Sequence, residues 1–177
     1  MTSPDPDLTP EVTLRRCHLL RPLSERQIAE LAACSTTRSL RAGERLFDQN
    51  DEAHDFFVVV KGRIAVRMTA SGGGAIEVFD AGQFHLCGWS SLVAPHEYVA
   101  GATAVEDSTV LVVPAAAAED IFLLEPFAGY EVMQRLAGDI SVRLRNVRTE
   151  LLGLLNGAGS EQAEPAQVGE AEPHGVV

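Results

Sequence analysis

Residues 88–91, Gly-Trp-Ser-Ser, are the part of this sequence best suited to bind a ligand. Gly88 follows a short apolar run and opens a helical turn that Pro95 ends, and an alternating strand is predicted from Tyr98 to Ala104. The first backbone amides of such a turn have no acceptor within it, so they point together at one place. The order of strand, glycine, turn and strand therefore predicts a site for an anion or a polar ligand.

Short strands separated by turn residues must position this site. The hydrophobic period changes to two at residue 36, and the strands predicted before the turn are 36–40, 45–47, 56–60, 64–68 and 75–79. Strands this short, with turns this regular, indicate a closed all-β sandwich or roll over residues 36–113. Helices are predicted within 12–34 and within 115–156, with Phe122 and Leu123 on the buried side of the first C-terminal one. The expected fold class is mainly β with flanking helices (α+β).

Residues 13–155 resemble the cyclic nucleotide-binding domain of the catabolite-activator (Crp/Fnr) superfamily. The resemblance is carried by the Asn50-Asp51 turn, by the layout of the phosphate-binding cassette and by glycines at the family's spacings, namely Gly43, Gly62, Gly82 and Gly88. It implies a double-stranded β-helix, or jelly roll, of the cyclic nucleotide-binding type with a long C-terminal helix.

The cassette departs from the family pattern where the ligand would bind. Family members that bind cyclic nucleotides carry Gly-Glu at the start of the cassette helix and Arg-Ser/Thr-Ala nine residues after the Glu. Here the five positions hold Gly88, Trp89, Tyr98, Val99 and Ala100. Tyr98 offers no cation to a phosphate, and the Trp89 indole can only donate where the Glu would accept. Cyclic nucleotide binding in the family manner is therefore not expected.

Two interpretations of the altered pocket remain open. Trp89 and Tyr98 could line a mostly apolar cavity in which Ser90 or Ser91 orients an unknown small molecule, or they could simply fill the pocket. Arg148 falls where the family's long helix approaches the ligand and could supply charge. The candidate ligand-binding residues are Gly88, Trp89, Ser90, Ser91, Tyr98, Val99, Ala100 and Arg148.

His85 and Cys87 offer a third interpretation, a haem or redox sensor. They would share one face of a strand, and haem-binding relatives in the superfamily use residues from this region. Two ligands are too few for a structural metal site. A following helix N-terminus would lower the pKa of the Cys87 thiol and favour reactivity, whereas burial would oppose it. No nucleophile and base share a motif, so the protein is not expected to be an enzyme.

The longest predicted helix carries an apolar seam with heptad spacing. Its members are Met133, Ala137, Ile140, Leu144, Val147, Leu151 and Leu154. Such a seam predicts a homodimer. The alternative is packing of the helix against the roll, for which Val132, Leu136 and Leu155 are available.

Charge and composition limit the partners. The chain has 177 residues and a net charge of -11. Segments 1–11 and 157–177, both predicted to be disordered, hold seven acidic residues and no Lys or Arg, so the domain at 12–156 is only mildly acidic. Nothing in the tail could form a helix-turn-helix, and no apolar run approaches membrane-spanning length. Neither DNA nor membrane is an expected partner.

The sequence thus predicts a stand-alone regulatory or sensor module with a remodelled pocket. The alternative is a dimeric interaction scaffold with a filled pocket and no ligand. An odd number of cysteines at wide spacing (Cys17, Cys34 and Cys87) indicates no disulfide framework and favours the cytoplasm. The regulatory module would act through its dimer or through a protein effector.

Overall fold

The computed structural model describes residues 8–69 and 74–160, and within the last helix it describes no side chain at 150 or at 154–160. Two helices come first, α1 (Pro10–Arg16) and α2 (Glu25–Cys34), with a 3-10 helix (His18–Leu20) between them. The strands are β1 (Thr36–Leu40), β2 (Arg45–Phe47), β3 (Asp55–Lys61), β4 (Ile64–Thr69), β5 (Ala75–Ala81), β6 (Leu86–Cys87), β7 (Gly101–Ala104) and β8 (Ser108–Pro114). A second 3-10 helix, the cassette turn (Trp89–Leu92), follows β6, and α3 (Ala115–Leu124) and α4 (Pro126–Ser160) follow β8.

The strands form two four-stranded antiparallel sheets, in the orders β1-β8-β3-β6 and β2-β7-β4-β5. This is the predicted jelly roll with flanking helices. One core, the roll core, lies between the sheets, and a second, the outer core, lies between the first sheet and the helices. The roll core includes Leu40, Leu46, Phe57, Val59, Ile64, Cys87, Tyr98 and Val110. The outer core includes Leu14, Leu20, Ile28, Leu31, Phe56, Val58, Leu111, Val113, Val132 and Leu136.

Capping explains where the first two helices begin. Pro10 stands in the first turn of α1 behind Thr9, whose side chain accepts from the Val12 amide, so α1 starts two residues earlier than the sequence predicts. Ser24 and Gln27 form a capping box at α2. These helices cover the outer face of the first sheet.

The C-terminal helices differ from the prediction in two respects. Leu123 of α3 is 79% exposed, because the face of α3 that meets the sheet carries Ala115, Ala118 and Ile121 instead. In addition, α4 continues to Ser160, so the first four residues of the predicted tail are helical. Residues 1–7 and 161–177 of the predicted disordered segments lie outside the described residues. Within the described part of the chain, none of the helices has the length and apolarity to cross a membrane.

Candidate ligand site

The cassette turn begins at Gly88, which leaves β6 with a φ of 77°. A Cβ atom there would lie 3.0 Å from Cδ2 of Phe57, so both the backbone conformation and the space favour glycine. Ser91 closes the turn, since its amide and its hydroxyl donate to the Gly88 carbonyl over 3.1 and 3.0 Å. The predicted turn is therefore present, as a 3-10 helix in which Ser90 and Ser91 are buried.

Tyr98 lies inside the roll and is 5% exposed. Its ring stacks on Phe47 with centroids 3.9 Å apart, and Phe47 in turn stacks on Phe57 at 5.4 Å. Its hydroxyl donates to the Asp55 carbonyl over 2.8 Å. Burial is the main cause that raises the pKa of Tyr98 to about 12. The position of the family's arginine is thus occupied by a neutral, packed side chain.

The hydrogen bond from Tyr98 replaces one that the sheet lacks. Phe57 pairs with Cys87 across β3 and β6, and this register would set residue 89 opposite Asp55. Residue 89 has already entered the cassette turn, so β6 supplies no amide at that point. The Tyr98 hydroxyl serves as the donor for this partly buried carbonyl. Backbone bonds between Tyr98 and the Asn50-Asp51 turn hold the residue in place, which explains why β7 starts only at Gly101 and not at 98 as predicted.

Trp89 and Tyr98 do not line a common cavity. Trp89 is half-buried and packs against the outer core, whereas Tyr98 belongs to the roll core. The residue just before the turn, Cys87, faces the roll core and its neighbour Leu86 the outer core, so the sheet separates the two environments. The expectation that the two aromatic residues line one pocket is not supported by this arrangement.

The remaining candidate residues fall in different places. Ala100 is buried, but Val99 is 49% exposed. Arg148 is exposed and lines neither of the two cavities described for this structure. The helix cation that does line a cavity is Arg143, five residues earlier and therefore about 140° around α4. The sequence predicts Phe79 in a strand and gives no indication that Arg143 of the last helix contacts it.

Arg143 and Trp89 border a cavity of about 260 Å³ outside the roll, between α4, the first 3-10 helix and the segment from β5 to β6. The Arg143 guanidinium stacks over the Phe79 ring at 3.9 Å from its centroid. Burial lowers the pKa of Arg143, and Asp139, one turn earlier on α4, acts in the opposite direction. Phe84 and His85 complete the opposite wall.

Cys87, whose reactivity the sequence leaves open, is buried in the structure. Cys87 is 1% exposed, and burial raises the pKa of its thiol to about 12, so burial outweighs any effect of the following turn. His85 precedes the short strand and is exposed, and its Nδ1 accepts from the Gly82 amide over 3.1 Å. Among the described residues there is no cluster of three or more side chains that could hold a metal ion. The geometry thus opposes thiolate chemistry at Cys87.

The predicted seam on α4 is divided between two environments. Met133 and Ile140 are half-buried and pack against the outer core. Farther along, Leu144 and Leu151 are 69% and 42% exposed. Ala137 is exposed and Val147 half-buried, and the side chain of Leu154 lies outside the described residues. The first part of the seam therefore serves the domain itself, and the second part is open.

Comparisons with known proteins agree with this fold. The family model of the cyclic nucleotide-binding domain matches residues 37–123. A protein from Geobacter metallireducens described as cyclic nucleotide-binding is similar in structure, with 23% identity, a TM-score of 0.65 and coverage of 81% of this chain and 99% of that one. The catabolite activator protein of Thermus thermophilus is also similar in structure, with 25% identity, a TM-score of 0.61 and coverage of 77% of this chain and 62% of that one. A comparison with curated protein sequences found no match.

A third similar structure belongs to a protein that is described as cAMP-independent. It is the regulatory subunit of a cAMP-independent protein kinase A from Trypanosoma brucei, with 16% identity, a TM-score of 0.61 and coverage of 72% of this chain and 45% of that one. A triple mutant of that subunit is bound to cAMP in its A site. The matched family model and the shared architecture lead to one conclusion: residues 37–123 of this chain belong to the cyclic nucleotide-binding domain family, with a fold of the Crp/Fnr type.

Proposed function

We propose that this protein is a regulatory module, not an enzyme, whose roll interior is filled by its own side chains and takes no cyclic nucleotide. The observation that carries the proposal is Tyr98, which stacks on Phe47 and bonds to the Asp55 carbonyl in the place of the family's arginine.

A cyclic phosphate needs both backbone amides and a cation. Its negative charge persists when it leaves water, and removal of one partner of a buried ion pair weakens binding by roughly 3–5 kcal/mol. The side chains that pack around Tyr98 in the roll core are apolar, and Phe47 and Phe57 are the nearest of them. A nucleotide would also have to displace this aromatic stack and leave the Asp55 carbonyl without its donor.

The kinase regulatory subunit from Trypanosoma brucei supports the proposal by analogy. The fold therefore occurs in a regulatory subunit that is described as cAMP-independent, and a form of that subunit with three substitutions is described as bound to cAMP.

Calorimetry with cyclic AMP and cyclic GMP tests the proposal. The wild type is expected to show no saturable binding below about 100 µM, because amides alone do not offset the desolvation of a phosphate. The triple variant Trp89→Glu, Tyr98→Arg and Val99→Ser restores an acceptor, a cation and a hydroxyl, and is expected to bind in the micromolar range. Val99→Ser alone is the matched control and should show no nucleotide binding, since Val99 is half exposed.

Two results would count against the proposal. Tight binding by the wild type would mean that another group supplies the cation. A well-folded triple variant that still fails to bind would place the cause in the backbone between Gly82 and Gly88, where Phe84 adopts a φ of 64°.

A second candidate function, a dimeric interaction scaffold in the cytoplasm, is favoured by the open part of the α4 seam. Leu144 and Leu151 lie seven residues apart on α4 and are exposed in the single chain. Light scattering at tens of micromolar protein should give a dimer for the wild type and a folded monomer for Leu144→Glu combined with Leu151→Glu. The control is Leu124→Glu, which changes a leucine on α3 that is 79% exposed. A monomeric wild type would end this candidate.

A further inference from the structure

We propose that the cavity outside the roll, beneath Arg143, binds a small anion with an apolar body, of the size of a single-ring aromatic carboxylate. This site is built from α4, the first 3-10 helix and the segment from β5 to β6. Its wall residue Phe79 packs against the roll core, but Tyr98 does not line it, so the site does not depend on whether Tyr98 fills the roll interior.

The cation of the site is Arg143. Its guanidinium is partly buried and stacks over Phe79, a contact that leaves its edge N–H groups free to bind a carboxylate. Asp139 also lines the cavity, yet the ion pairs formed between described residues do not include one with Arg143. A partly desolvated guanidinium without an ion-pair partner is the group that an anionic ligand would stabilise.

Two further arginines contact residues that line the cavity. Arg16 stacks over the wall residue Phe84 at 5.1 Å from the ring centroid. On the α4 side, Nη1 of Arg135 lies 3.2 Å from Nε2 of His18, another lining residue. One arginine therefore lines the cavity and two more contact its lining residues, whereas the lining includes one aspartate. This balance favours an anion over a neutral or cationic ligand.

The wall residues of the cavity determine which uncharged part the ligand should have. Phe79, Phe84 and Trp89 present aromatic surface, and Leu86 and Val142 add aliphatic surface. A cavity of about 260 Å³ leaves room for one ring and its carboxylate. Apolar walls with few charged groups are also typical of small-molecule sites. Inorganic anions lack the body that would fill this space.

Trp89 makes the proposal directly measurable, because it is the only tryptophan of the chain and lies in the cavity wall. Its fluorescence is titrated in the full-length protein with benzoate, phenylacetate and cyclohexanecarboxylate, and calorimetry repeats each titration. At least one is expected to saturate with a Kd of about 1 mM or below, the range for a ligand of roughly ten non-hydrogen atoms. Three control compounds should bind at least about tenfold more weakly: benzyl alcohol and benzylamine, which lack the negative charge, and inorganic phosphate, which lacks an apolar body.

Matched variants identify the cation. Arg143→Met keeps the length and apolar contact of the side chain and is expected to weaken carboxylate binding at least about tenfold. Arg148→Met removes an exposed arginine from the same helix and should leave the affinity unchanged. If Arg143→Met does not fold, the comparison of benzoate with benzyl alcohol on the wild type still decides the question.

Three outcomes would overturn the proposal: no carboxylate saturates, benzyl alcohol binds as tightly as benzoate, or a folded Arg143→Met binds like the wild type. Cyclic AMP is titrated in the same assay. Its binding would contradict the proposed function of the roll, whereas the carboxylate titrations test the outer cavity alone.

Discussion

Replacing Tyr98 by phenylalanine removes one hydroxyl and leaves the stack on Phe47 in place. The loss deprives the Asp55 carbonyl of the donor that it has at 2.8 Å. Because β6 ends before it can supply an amide there, no ladder partner compensates for the partly buried carbonyl. An acceptor that is shielded from water and left without its partner destabilises a protein by about 1–3 kcal/mol. For a domain of this size, we expect a decrease in Tm of about 4–8 °C for a central value of about 2 kcal/mol.

The free energy of unfolding is measured by urea denaturation at neutral pH, followed by Trp89 fluorescence and by circular dichroism. Tyr130→Phe is the matched control, because the only other tyrosine is 59% exposed and its hydroxyl accepts from the exposed Gln134 side chain. This control should change the stability by no more than about 0.5 kcal/mol. Tyr98→Leu also removes the stack and should destabilise by about 1 kcal/mol more than Tyr98→Phe.

One result would refute the reasoning. If Tyr98→Phe and Tyr130→Phe are equally stable, the Tyr98 hydroxyl does not satisfy a partly buried carbonyl, and the side chain fills the roll only through its ring.

Three further predictions concern glycine, thiols and alkaline pH. Gly88→Ala should destabilise the protein by about 1–3 kcal/mol more than Gly43→Ala in urea, since both have a positive φ but only the first methyl would meet the Phe57 ring. An aromatic disulfide reagent should modify one thiol quickly in the native protein, that of the exposed Cys34, while Cys87 reacts only on unfolding. Because the pKa of Tyr98 is raised to about 12 from its ordinary 10, the folded state retains a proton that the unfolded chain loses. That contribution is fully present below pH 10 and is lost as the pH rises toward 12, so the stability difference between wild type and Tyr98→Phe should be smaller at pH 11 than at pH 9.

The fold was predictable because local signals agree with it. The Ser24 cap, the period-two strands and the glycine at 88 each constrain the backbone independently of the partner that they meet. The loss of the family's arginine was also visible from residue type alone. Boundaries were less accurate where tertiary contacts decide them, as at Tyr98, whose backbone pairs with the Asn50-Asp51 turn and delays β7.

The site was only partly predictable because side-chain direction at the cassette turn is set by the sheet. Sequence spacing gives no means to tell that Trp89 faces the outer core while Tyr98 faces the roll core. The helix cation was misplaced for a similar reason. The face of α4 that meets β5 depends on how Val132 and Leu136 pack against the outer core, and this rotation brings Arg143, not Arg148, to Phe79.

Strand β3 is shared by both cores, and this has a consequence for how the protein opens. Phe56 and Val58 face the outer core, whereas Phe57 and Val59 face the roll core, and all four are at most 5% exposed. Neither core can separate from this strand without exposing one face of it to water, so the helical layer and the roll form one cooperative unit. The amide hydrogens of β3 should therefore exchange with solvent only through global unfolding. A destabilising substitution on either side of the first sheet should lower the free energy of that same unfolding transition.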